Sequence, residues 1–125
     1  MDRGLKSYWA EFLGTFTLCL IGQGAICTLR MSDPTGSNLL AIANAHGLAL
    51  AVMISALGAI SGGHFNPAVT FGFLVSGRQS LLSAIGYWIS QLFGAVVASA
   101  ILRGVFPESV WGNRHRGMRS PAPYA

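Results

Sequence analysis

The chain has 125 residues, of which 52% are hydrophobic and only 10% charged; four acidic residues and a net charge of +4 give it a make-up that a soluble domain of this size would rarely have. Nucleic-acid binding is not indicated, because half of the basic residues fall from Arg103 onward, in a tail with no aromatic interleaving. Enzyme chemistry has no foothold either. The three histidines are far apart, no cysteine or carboxylate stands at ligand spacing, and no nucleotide loop or nucleophile–base pair is present, so neither a metal nor a cofactor is implied.

Residues 1–7 read as a short polar lead. The apolar run 8–29 carries one charge, Glu11, and is long enough to cross hydrocarbon, which takes about 20 helical residues. Arg3 and Lys6 ahead of it would also suit a cleaved secretory signal. That reading is rejected because Glu11 interrupts the apolar start and the run outlasts a signal core of about 7–15 residues. Cys19 and Cys27 both fall on this helix, where a mutual disulfide is sterically implausible, and they read as small buried residues.

From Arg30 to Asn38 the turn formers Asp33, Pro34, Gly36, Ser37 and Asn38 predict a loop at a membrane surface. A second span, 39–60, and a third, 81–102, carry no charge at all. Each has small residues at four-residue steps: Gly47, Ala51, Ser55 and Ala59 in one, Gly86, Ser90, Gly94 and Ala98 in the other. Such stripes let helices approach closely and predict a tight bundle.

Between these two spans lies Ser61-Gly62-Gly63-His64-Phe65-Asn66-Pro67-Ala68-Val69-Thr70, running on to Ser76-Gly77-Arg78. Asn as N-cap with Pro at the first helical position marks a helix start, and Gly77 a stop. A helix over 67–76 would be about 15 Å long, half the hydrocarbon thickness. An interfacial surface helix would explain it; the favoured reading is a re-entrant segment that dips to the midplane and returns. The fold class expected is an all-α membrane protein, three transmembrane helices plus one re-entrant half-helix.

The stretch from Ser61 to Thr70 resembles the first Asn-Pro-Ala signature of the major intrinsic protein family, the aquaporins and glycerol facilitators. Ala10-Glu11-Phe12-Leu13-Gly14-Thr15, Ala45-His46-Gly47-Leu48-Ala49-Leu50 and Tyr87-Trp88-Ile89-Ser90-Gln91-Leu92-Phe93-Gly94-Ala95 resemble it too, in family order. The resemblance covers about residues 9–106 and corresponds to the first of two inverted repeats. A histidine at position 46 looks like the tonoplast intrinsic proteins and the aquaporin-eight branch.

This resemblance implies a channel for water, and for ammonia or hydrogen peroxide, embedded in a lipid bilayer, with the cell or inner membrane as its setting. It also implies a partner: a second half-channel, or further copies of the chain, in a family that forms tetramers. The positive N-terminal end of the half-helix would oppose cations. Asn66, Pro67 and Ala68 would form the constriction, with the side-chain oxygen of Asn66 held by helix amides and its NH2 turned to the pore. Backbone carbonyls of Gly62, Gly63 and His64 would supply acceptors along the wall. Val69, Leu50 and Leu18 resemble apolar pore-lining positions, and His46 the second-helix position of the aromatic/arginine filter. Glu11 would brace the re-entrant loop beside His64, and Gln91 would hydrogen-bond between helices.

Two features depart from the family pattern. The orientation it implies puts Arg3, Lys6 and Arg78 inside, whereas Arg30, Arg103, Arg114, Arg116 and Arg119 would be outside, against the positive-inside rule. Residues 107–125 show no apolar period and read as a disordered or aberrant end after a repeat spanning 1–106. A truncated, non-conducting remnant or assembly partner of intact channels is therefore the alternative to a half-channel.

Overall fold

The computed structural model describes residues 4–32 and 38–111, which form five helices and, among the described residues, no strand: α1 Leu5–Ser32, α2 Leu39–Ser61, α3 Pro67–Val75, α4 Leu81–Val105 and α5 Glu108–Trp111. Helices α1, α2 and α4 are each long and apolar enough to cross a membrane. At 1.5 Å per residue they measure about 42, 35 and 38 Å, against hydrocarbon of about 30 Å. Helix α1 runs three residues past each end of its apolar stretch. Lys6 and Arg30 are good helix formers, and nothing in those turns breaks the backbone ladder. Most of the predicted loop after Arg30 lies outside the described residues; Asn38 lies within them and caps α2 by accepting from Ala41 N at 3.1 Å.

Helix α1 is the centre of the bundle. Helix α4 packs along one side of it and α2 along another. The α1–α4 pair runs parallel: Tyr8 meets Tyr87 edge-on, Phe12 lies against Gly94, and Gln23 accepts from Ser99 Oγ at 3.1 Å. The α1–α2 pair runs antiparallel, with Ser7 Oγ donating to the Ile60 carbonyl at one end and Gly22 meeting His46 towards the other. Leu5, Leu81 and Arg78 therefore lie at one end of the bundle, and Arg30, Arg103 and α5 at the opposite end.

The two small-residue stripes have different fates. On α4 the stripe faces α1: Gly94 and Ala98 are buried, and a Cβ on Gly94 would stand 2.6 Å from the Phe12 carbonyl oxygen. On α2, Gly47, Ala51, Ser55 and Ala59 are all exposed, and only Ala49 and Ser61 of the whole helix are buried. The close packing predicted for that stripe does not occur within the described residues, because α1 occupies a different face of α2.

After α4 the sequence predicts no helix, yet Glu108–Trp111 forms a single turn with Val110 buried against the bundle. Arg30 Nη1 donates to the Val110 carbonyl at 3.3 Å, satisfying an end group that a helix this short leaves open. The rest of the predicted tail, 112–125, lies outside the described residues.

Candidate functional site

Helix α3 begins partway along α4. Trp88, seven residues or about 10 Å into α4, donates from its indole to the Pro67 carbonyl at 3.0 Å. Asn66 is the N-cap, extended at φ −155°, and its side-chain oxygen accepts from Ala68 N at 2.8 Å. Pro67 occupies the first helical position, where a missing N–H costs nothing. The helix ends at Val75, one residue short of the predicted 76; Ser76 caps it, and Gly77 turns the chain at φ +71°.

The chain reaches Asn66 through a tight reversal. Gly62 caps α2 at φ +93°, its N–H donating to the Gly58 carbonyl at 2.8 Å, and Gly63 continues at φ +65°. Phe65 is also left-handed, at φ +46°, where a side chain costs about 1–2 kcal/mol. Two things hold it there. Its ring is buried against Gly14 of α1, where any Cβ would occupy the ring's place, and its N–H donates to Glu11 Oε2 at 2.7 Å.

Glu11 is fully buried and satisfied by three donors. Oε1 accepts from His64 N at 3.0 Å; Oε2 accepts from Phe65 N and, at 2.8 Å, from Gln91 Nε2. A carboxylate buried in apolar surroundings needs this degree of compensation. The second hydrogen of the Gln91 amide goes to Thr70 Oγ1 at 2.9 Å. That hydroxyl also meets the Asn66 carbonyl at 3.3 Å and His64 Nδ1 at 3.1 Å. It has one hydrogen to give: when it goes to Asn66, His64 Nδ1 must be the donor. Tyr87, buried beside the His64 ring, donates to the Ser61 carbonyl at 2.6 Å. Three helices thus converge on five residues of loop.

Of the residues singled out from the sequence, Glu11, His64 and Gln91 come together in this cluster, joined through the His64 main-chain N–H. Asn66, Pro67, Ala68 and Val69 form an exposed face at the start of α3, with Gly62 exposed and Gly63 half-buried beside them. The Asn66 side-chain NH2 has no hydrogen-bond partner among the described residues. His46 is not part of this cluster. Half-buried on α2, it lies against Gly22, eleven residues or about 16 Å beyond Glu11 along α1. Leu18 and Leu50 are half-buried.

Sequence reasoning missed Thr70, Tyr87, Phe65 and Trp88. Thr70 could have been found: it is the one hydrogen-bonding side chain in the apolar run Pro67–Val75, and so needs a partner if that run is buried. The left-handed Phe65 carries no such signal.

Three helices long and apolar enough to cross a membrane, with a short one packed against the third of them, define a multi-pass integral membrane protein. The profile of the family described as Major intrinsic protein matches residues 2–124. The chain is 48% identical over 108 residues to "Lens fiber major intrinsic protein" of Ovis aries, covering 86% of this chain and 40% of that one. It is 44% identical over 108 residues to "Probable aquaporin TIP3-2" of Arabidopsis thaliana, covering 79% of this chain and 40% of that one. The human lens fiber protein is 43% identical over 117 residues, covering 94% of this chain and 43% of the relative. The chain belongs to the Major intrinsic protein family, and it spans about two-fifths of the length of the curated relatives it matches.

Proposed function

We propose that this chain supplies one half of a transmembrane pore for water and small neutral solutes such as ammonia or hydrogen peroxide, completed by a second half-channel or by further copies of the chain. The observation that carries the reading is the start of α3 partway along α4, with the Asn66 side-chain oxygen tied to Ala68 N and its NH2 on an exposed face. A passing water would accept from that amide. The aligned peptide dipoles of α3 make the same end partially positive, which opposes cations and protons.

Val69 would line the wall one step further on, and backbone carbonyls of Gly62, Gly63 and His64 would offer acceptors along the approach. His46 would form a second, polar constriction, with Leu50 and Leu18 on the apolar wall. Imidazole at that level is the feature shared with tonoplast-type channels, and it disfavours solutes that need an apolar wall. Glu11 and Gln91 act indirectly, by holding the loop.

Stopped-flow swelling of proteoliposomes carrying this chain tests the reading, with Asn66→Asp and His46→Ala alongside. Permeability above that of empty vesicles is expected, reduced by Asn66→Asp, which replaces the donor with a carboxylate oxygen. Permeability equal to that of empty vesicles would reject autonomous conduction and leave the chain as a non-conducting partner in assembly.

A further inference from the structure

Gly22 is buried on α1, and a Cβ built on it would collide with Nε2, Cδ2 and Cε1 of the His46 ring. The tip of the imidazole therefore occupies the space that any other residue's side chain would fill. At the ring's other nitrogen, Nδ1 lies 2.9 Å from the Ile42 carbonyl of its own helix. A carbonyl can only accept, so in the neutral ring Nδ1 carries the hydrogen and Nε2 carries none. The space over Gly22 is met by the face of the ring at its Nε2 end, so the notch sets the depth of the ring while the Ile42 carbonyl sets its tautomer.

We infer that Gly22 is a positioning residue for His46: its notch fixes how far the imidazole stands out from the α1–α2 seam, keeps Nδ1 within reach of the Ile42 carbonyl, and so gauges the opening at that level for solutes larger than water. The gauging rests on the pore reading above; the seating of the ring does not. A side chain at position 22 evicts the ring tip, and a ring pushed from the notch loses its Nδ1 hydrogen bond. That bond favours the seated ring about fivefold, and a Cβ at position 22, which would overlap the ring, outweighs it. The displaced ring swings out of the seam and narrows the opening.

Two arms test this in the full chain reconstituted in bilayers. In the first, 15N spectra of the His46 ring, taken where the ring is neutral, should show protonated Nδ1 and bare Nε2 in the native chain and a mixture of tautomers in Gly22→Ala. A native ring protonated at Nε2, or spectra unchanged by Gly22→Ala, would overturn the seating. In the second arm, the ratio of hydrogen peroxide to water permeability should fall in Gly22→Ala and rise in His46→Ala. The double variant Gly22→Ala/His46→Ala should match His46→Ala, since no ring remains to be displaced. An unchanged ratio in a conducting Gly22→Ala protein would overturn the gauging. If every variant, the native chain included, is as impermeable as empty vesicles, the pore reading and the gauging built on it both fail, while the spectra still decide the seat.

Discussion

Replacing Glu11 by Gln keeps the shape of the side chain and removes half of its accepting power. The carboxylate takes three N–H donors, from His64, Phe65 and Gln91. A carboxamide has one oxygen. Turned towards Phe65 and Gln91, it points its NH2 at the His64 N–H, and a bond becomes a donor–donor conflict in a buried place. A buried donor left unsatisfied costs about 1–3 kcal/mol, and exchanging a charged acceptor for a neutral one weakens the two remaining bonds. The expected loss is about 2–4 kcal/mol, felt first in the loop, where left-handed Phe65 gives up part of its support. Backbone hydrogen exchange in lipid nanodiscs reads this directly. His64 and Phe65 should exchange about 30-fold to 1,000-fold faster in Glu11→Gln, with little change at α1 residues far from the loop. Exchange at those two amides within about threefold of the native rate would refute the claim that Glu11 pins the loop.

Three further outcomes follow from the packing. Gly94→Ala puts a methyl group against the Phe12 carbonyl and should destabilise the α1–α4 pair by about 1–3 kcal/mol in unfolding from mixed micelles, whereas Gly47→Ala, which meets nothing within 4 Å, should stay within about 0.5 kcal/mol. Tyr87→Phe removes the donor to the Ser61 carbonyl and should cost about 1–2 kcal/mol in the same assay. Trp88→Phe breaks the bond to the Pro67 carbonyl, which has lost none of its need for a donor; faster exchange at Ala68 and Val69 than in the native chain is the expected readout.

The spans and the half-helix are legible in the sequence because a bilayer imposes length and apolarity on each segment separately, and because Asn66-Pro67 encodes a helix start locally. The bracing by Glu11 is legible by resemblance, and by the rule that a charge at that depth requires partners. Which stripe is used is not legible. Gly47 to Ala59 and Gly86 to Ala98 are equivalent patterns, and only the position of α1 decides that one is covered and the other open. The notches at Gly14 and Gly22 are hidden for the same reason. Each is defined by a ring belonging to another segment, Phe65 or His46, and a glycine in a helix says only that something has room to approach.

The bond between Gln91 and Glu11 joins residues eighty positions apart in the chain. During synthesis the first two long helices and the short one all leave the ribosome before Gln91 does, so the reversal at 62–66 has only part of its fastening while the nascent chain is entering the bilayer. Docking of α4 completes this fastening, and until then a buried acid and a set of main-chain amides must be kept from other partners. Biogenesis of this protein is thus most exposed to error in the interval between insertion of its second and third spans, and a slow-moving ribosome there would lengthen the exposure.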